Sequence, residues 1–151
     1  MNKICKTKIE DGFYRSILEV LPIVCVDVLL VKGDKFLMGK RVNEPAKGQW
    51  WFPGGRVLKG ETLREAAIRQ ARKIGCKKPI IQNLITAQSV HFDKSAQGVP
   101  IDEIGIVYWV DASGAFKPKD NENSSFKWFK RANSDWHTYL LDVLTEAGYP
   151  G

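Results

Sequence analysis

Cysteine, histidine and long apolar stretches are all scarce in this chain of 151 residues, and each scarcity removes a class of protein. The three cysteines, Cys5, Cys25 and Cys76, are odd in number and have no metal-ligand spacing. That excludes a zinc finger or a disulfide framework and fits reduced thiols in a cytoplasmic protein. No apolar run approaches the ~20 residues that a membrane-spanning helix needs. The longest, Ile23 to Val31, is rich in β-branched residues and reads as a buried strand. Met1 to Cys5 lack the apolar stretch of a secretory leader. Repeats, low-complexity tracts and linkers are missing too, so a single domain spanning 1–151 is expected.

Positive charge is what the chain has in excess, with a net charge of +6. Part of it lies in one run: Arg69, Arg72, Lys73, Lys77 and Lys78. A nucleic-acid surface is not expected, because no aromatic residues interleave with these charges. A solvated face that attracts small anions is the simpler reading.

The hydrophobic pattern alternates between helical and strand periods. Asp11 to Leu21 carries Phe13, Ile17, Leu18 and Leu21 at helical spacing, and Pro22 ends it. Ile23–Val31 and Lys35–Gly39 read as strands around Lys32-Gly33-Asp34. Arg41–Gln49 reads as a loop, and Trp50–Phe52 as a short strand stopped by Pro53-Gly54-Gly55. A helix is expected over Thr62–Ile74, with Leu63, Ala67, Ala71 and Ile74 on its apolar side. Thr62 and Glu65 form a capping box, and Glu65 is also four residues before Arg69. Strands follow at Ile80–Phe92, Glu103–Asp111 and Phe126–Phe129. A last helix is expected over Ser134–Ala147, capped by Asn133 or Ser134 and stopped at Gly148. One of Trp50 and Trp51 should be buried and one exposed. Trp109 and Trp128 should be core, and His137 a surface residue. This order fits an α+β fold, an α/β/α sandwich with a mixed β-sheet flanked by helices.

The chemistry concentrates between Gly54 and Gly75. A glycine is followed by five residues, Glu61, seven residues and Arg69. This spacing resembles the front half of the Nudix box, the loop-helix signature of hydrolases acting on nucleoside diphosphates linked to another group. The back half departs. The family carries a Glu after the Arg and two more three and four residues later. Here those positions are Gln70, Lys73 and Ile74, and Gly75 arrives one residue early, shortening the last turn. Residues at i, i+3 and i+4 share a helix face, where three carboxylates would make a hard oxygen site for Mg²⁺. Gln70, Lys73 and Ile74 offer instead an amide, a cation and a hydrocarbon.

The resemblance sharpens upstream. Gly39-Lys40-Arg41, then Asn43, Pro45, Ala46 and Gly48, then Pro53-Gly54-Gly55-Arg56-Val57 look like the GDP-mannose mannosyl hydrolase branch of the Nudix family. Glu10, Asp11 and Phe13 and the strand bearing Asp27 resemble it too, so the likeness covers residues 9 to 130. The resemblance implies cleavage of a nucleotide sugar at the anomeric carbon, with inversion, by water that a histidine activates. It implies one Mg²⁺ on a backbone carbonyl, a helix Glu and a Gln, arginines on the leaving diphosphate, and a homodimer.

Carried onto this chain, the arginines are Arg41, Arg56 and Arg69. Gly54 supplies the metal-facing carbonyl, Asp27 stands near substrate, and Glu61 is the box glutamate, supporting either a metal or Arg69. The helix Glu falls at Lys73 or Ile74, according to where the one-residue gap is placed. The family Gln-His pair falls at Glu122 and Asn123. Glu122 would suit a metal better than a Gln by charge, but an Asn123 amide does not usefully accept a proton. His91 matches a second family histidine, as a substrate contact. The expectation is a divergent nucleotide-sugar hydrolase whose Mg²⁺ is weakly bound or lost. A nucleotide-sugar-binding protein without catalysis is its rival, and a conventional diphosphate-cleaving Nudix enzyme is a third reading.

Overall fold

The computed structural model describes residues 3–149 and 151. Met1 and Asn2, the start of the segment read above as lacking a leader, lie outside the described residues, as does Pro150. The elements are α1 (Asp11–Val20), β1 (Ile23–Lys32), β2 (Lys35–Arg41), β3 (Trp50–Trp51), β4 (Gly54–Arg56), α2 (Leu63–Lys73), β5 (Lys78–Phe92), β6 (Ile101–Ser113), β7 (Asn123–Phe129) and α3 (Thr138–Glu146). No helix among the described residues is long and apolar enough to cross a membrane.

The strands form one mixed sheet in the order β3-β2-β1-β6-β5, with β4 added on β1 and β7 on β2. β1 and β6 run parallel, and the other pairs are antiparallel. Alternation along β1 builds the two cores, because successive side chains point to opposite faces. Val26, Val28 and Leu30 pack with Ala66, Ala67, Ala71 and Ile74 of the α2 segment. Leu29 and Val31 pack with Tyr139, Leu140, Val143 and Leu144 of α3. The expected sandwich of helices about a mixed sheet is therefore what forms.

Several boundaries differ from the sequence reading. Gly54 and Gly55 do not merely stop a strand. They are β4, with Gly54 opposite Asp27 and Gly55 opposite Val26. A Cβ on Gly54 would lie 2.0 Å from Asp27 Oδ1, so only glycine allows this pairing. α3 starts at Thr138 rather than Ser134. Asn133 instead closes a turn, its side chain accepting from the Asp135 N–H at 2.9 Å. The cap is His137, whose Nδ1 accepts from the Tyr139 N–H at 3.1 Å. His137 is half-buried against Trp51 and Phe92, not a free surface residue. Trp109 and Trp128 are half-buried at core margins rather than central. Trp51 is buried and Trp50 half-buried.

α2 begins as expected, with both halves of the Thr62–Glu65 capping box made. It ends at Lys73, and Gly75 takes φ +106°, a left-handed conformation that terminates the helix. Ile74 is only 1% exposed and faces the sheet. A carboxylate there would point into hydrocarbon rather than toward a metal. We therefore expect Ile74→Glu to lose several kcal/mol of stability, the cost of burying an unpaired charge. Lys73→Glu should lose about 1 kcal/mol or less, as for a solvent-exposed pair. Urea unfolding of both variants checks this ordering, and equal losses would contradict it.

Candidate functional site

The corner where β4 leads into α2 is closed by side chains of α2 and by Glu61 just before it. Arg69 Nε donates to Glu61 Oε1 at 2.6 Å, and Nη2 donates to Glu61 Oε2 at 3.1 Å and to the Arg56 carbonyl at 2.9 Å. Glu61 Oε2 also accepts from the Leu58 N–H at 2.9 Å. The Glu61 side chain is 2% exposed. Burial works against its charge, but the Arg69 guanidinium and the Leu58 N–H outweigh burial and hold its carboxyl below the usual range.

Gln70 completes the corner from the next helix position and is 3% exposed. With its amide turned to satisfy both ends, Nε2 donates to the Gly54 carbonyl at 3.3 Å and Oε1 accepts from Arg69 Nη1 at 3.1 Å. A Cβ on Gly55 would sit 2.8 Å from the end of the Gln70 amide, so glycine lets the strand come this close.

One turn on, Lys73 reaches across to the start of β7. Its Nζ lies 2.5 Å from Glu122 Oε1, while Arg41 Nη1 lies 3.6 Å from Glu122 Oε2. Asp120 shapes this loop, its Oδ1 accepting from the backbone N–H groups of Glu122 and Asn123. The Asn123 amide is also spent on Asp120, at 3.0 and 3.2 Å. It lines a separate hollow with Lys117 and Pro118.

The cleft itself opens beside β1. Two adjoining hollows share Cys25, Arg41, Pro45, Gly54, Gly55 and Glu103. The larger, of about 340 Å³, adds Tyr14, Arg56 and Glu122, and the smaller adds Asp27, Trp51 and Phe52. Asp27 is buried and accepts from the Tyr139 hydroxyl at 2.7 Å. Desolvation and the nearby Glu103 push its pKa up to about 7, against the Tyr139 hydrogen bond and Arg41. Desolvation likewise lifts Glu103 to about 7, against Arg41 and a hydrogen bond with Cys25. Two carboxylates that share a proton-retaining environment near neutrality are a mark of a functional cleft.

The residues expected from sequence thus divide. Asp27, Arg41, Arg56, Gly54 and Glu122 come together at the cleft. Arg69 and Glu61 do not line it and serve each other. His91 lies outside, exposed, with its ring nitrogens 2.9 Å from Asp102 and 3.1 Å from Asp93. Those two carboxylates, Asp102 foremost, raise its pKa. Glu103, Cys25 and Tyr139 were not singled out in the sequence. A signal for Glu103 existed: it shares its strand face with Ile101, Gly105 and Val107, all buried.

Comparison with known proteins agrees with the fold. A model of the NUDIX domain matches residues 21–140. The chain belongs to the Nudix family. It is 30% identical over 143 residues to the low-salt glycan biosynthesis protein Agl8 of Haloferax volcanii, covering 91% of this chain and 92% of that protein. It is 36% identical over 93 residues to an ADP-ribose pyrophosphatase of Methanocaldococcus jannaschii, covering 62% of this chain and 53% of that one. A MutT NUDIX hydrolase from Burkholderia pseudomallei shares the fold at a TM-score of 0.63, with 22% identity over 83% of this chain and 98% of that chain.

The divalent ion implied by the Nudix resemblance can be tested against these donors. The Gly54 carbonyl already receives the Gln70 amide, and both Glu61 oxygens are taken. Glu122 is held between Arg41 and Lys73. Among the described residues no three His, Cys, Asp or Glu side chains converge as metal ligands would. Unit charges ~4 Å apart at an effective dielectric of ~20 interact by about 4 kcal/mol, and a dication facing Lys73 would double that as repulsion. The Nudix corner of this chain does not fit a hard dication.

Glu103 yields a stability prediction. Its folded pKa, about 7, lies above the ordinary carboxylate value, so its contribution is full at low pH and lost as pH rises through 7. The group faces Arg41 on β2, Cys25 and Asp27 on β1, Tyr14 on α1 and Tyr139 on α3. Glu103→Gln should therefore gain stability relative to the natural chain between about pH 5 and pH 8. Urea denaturation at the two pH values measures this, and a pH-independent difference would contradict it.

Proposed function

We propose that this Nudix protein hydrolyses a nucleoside diphosphate sugar at the anomeric carbon, in the manner of GDP-mannose mannosyl hydrolase. The observation that carries this is the meeting of Arg41, Arg56, Asp27 and Glu103 at one cleft. Arg41 and Arg56 hold the diphosphate, since a guanidinium fork suits phosphate oxygens. Water attacks the sugar carbon, the carbon–oxygen bond breaks, and its electron pair leaves on the diphosphate. The arginines neutralise the charge that develops there. Glu103 takes the proton of the attacking water. It is a half-buried carboxylate that lines both hollows, and its raised pKa is near the value a base needs at neutral pH. Asn123 and His91, the positions first considered for contact with water or substrate, are engaged elsewhere.

The likeness to a glycan biosynthesis protein supports a sugar-linked substrate. The likeness to an ADP-ribose pyrophosphatase supports a nucleoside diphosphate and favours a second reading, cleavage at phosphorus. A third reading, a nucleotide-sugar-binding protein without turnover, is favoured by the closed corner at Gln70 and Gly54. A cytoplasmic homodimer fits the proposal, and the exposed Phe13, Val20 and Leu21 at α1 offer it apolar surface.

Reaction in ¹⁸O-water separates the readings. The proposed reaction puts the label in the released sugar and leaves the nucleotide unlabelled, whereas label in phosphate supports cleavage at phosphorus. Bound nucleotide with no product supports the binding protein. In every reading, Arg56→Ala should weaken binding of GDP by roughly 1.5–3 kcal/mol, the worth of a hydrogen bond to a charged group. Equal affinity by calorimetry would remove Arg56 from the site.

A further inference from the structure

Glu122 has an environment that a phosphate would share. Its two oxygens face two cations from different elements, Lys73 at the end of α2 and Arg41 at the end of β2. It also lines the larger hollow together with Arg41 and Arg56. A planar carboxylate between an ammonium and a guanidinium has the charge and the acceptor geometry of a phosphate edge.

We infer that Lys73 and Arg41 form a binding site for one phosphate group of the ligand, filled by the Glu122 carboxylate in the free protein and needing no divalent ion. The inference rests on reading the cleft as a diphosphate site.

Three features support an exchange of Glu122 for phosphate. First, the loop is held by its backbone while the carboxylate is free to leave. The Glu122 N–H is bonded to Asp120, and its carbonyl accepts from the Val42 N–H at 3.0 Å. A side-chain rotation alone can therefore vacate the site. Second, the side chains of Lys73 and Glu122 are 39% and 37% exposed. Ion pairs this open to water are weak, so little holds Glu122 in place against a competitor. A diphosphate brings more negative charge than a carboxylate and more acceptor oxygens. Third, the cation is permanent. Lys73 stands on the helix face where the resemblance implies a metal-binding carboxylate, and Gln70 closes the Gly54 carbonyl one turn earlier. The positive charge that a dication would bring is supplied by the chain. Lys73 is compact and mobile, suited to meet a phosphate as a point charge, while Arg41 gives direction.

Calorimetry with inorganic pyrophosphate as the probe, in EDTA and in Mg²⁺, tests the site without requiring turnover. The natural chain should bind pyrophosphate in EDTA within tenfold of its affinity in Mg²⁺. Glu122→Gln should bind at least threefold tighter, because the internal competitor has lost its charge. Lys73→Ala should bind at least tenfold more weakly. A loss of more than tenfold in EDTA overturns the inference, as does a Glu122→Gln variant that binds no tighter or a Lys73→Ala variant that binds equally well. Pyrophosphate binding with the expected pattern, but no hydrolysis of any nucleotide sugar, defeats the proposed reaction and leaves the anion site standing. Nucleotide-sugar hydrolysis, together with pyrophosphate binding that is lost more than tenfold in EDTA, does the reverse.

Discussion

Everything at the candidate site depends on the ion pair between Arg69 and Glu61. Glu61 is almost wholly shielded from water, and a carboxylate so placed must be paired. Arg69 supplies the pair and, with the same guanidinium, ties the Arg56 carbonyl and the Gln70 amide. β4 is thereby fixed to α2. That fixes where Gly54 meets Asp27, and so where the cleft has its floor. The spacing of Gly, Glu and Arg is thus a structural requirement of the corner before it is a chemical one. This explains how the front half of the box can persist while its carboxylates are replaced.

The same corner decides the electrostatics. In a carboxylate-lined helix face, negative charge would call for a dication. Here Lys73 is positive, Gln70 neutral, and Ile74 belongs to the core. The negative groups lie instead on the sheet, at Asp27 and Glu103, where burial lifts both toward neutrality. The cleft accordingly has a cationic rim, with Arg41 and Arg56, Lys73 beside it on Glu122, and a protonatable floor. A rim of that kind suits the leaving diphosphate, and the floor suits the proton of the water. Tyr139 links this floor to α3, since its hydroxyl donates to Asp27 and lies so close to Gly105 that a Cβ there would be 2.5 Å away.

Much of this was legible in the sequence where the cause is local. The start of α2 was clear because a capping box acts within four residues. Its early end was clear because Gly75 takes a conformation that glycine favours. The start of α3 was not, because Asn133 and Ser134 have the chemistry of a cap but His137 holds the position by packing on Trp51 and Phe92. Gly54 and Gly55 read as a break because their pairing partner, β1, lies far back in the chain. At the site, Arg41 and Arg56, which the motif singled out, line the larger hollow. It could not say that Arg69 turns inward, since that depends on the burial of Glu61. Glu103 was missed although a carboxylate in the inward phase of a strand is a visible anomaly. His91 followed from its match to a family histidine, but its ring turns to Asp102 and Asp93 rather than to the cleft that its neighbour Phe92 lines.

The central claim is that protein groups fill the places where a Nudix metal would bind. Anomalous scattering from crystals grown with GDP and Mn²⁺ tests it most directly. The account predicts no manganese within coordinating distance of the Gly54 carbonyl, with the Gln70 amide still on that carbonyl and Lys73 turned to a phosphate oxygen. A manganese ion bound to the Gly54 carbonyl and Glu122, with Gln70 displaced, would contradict it.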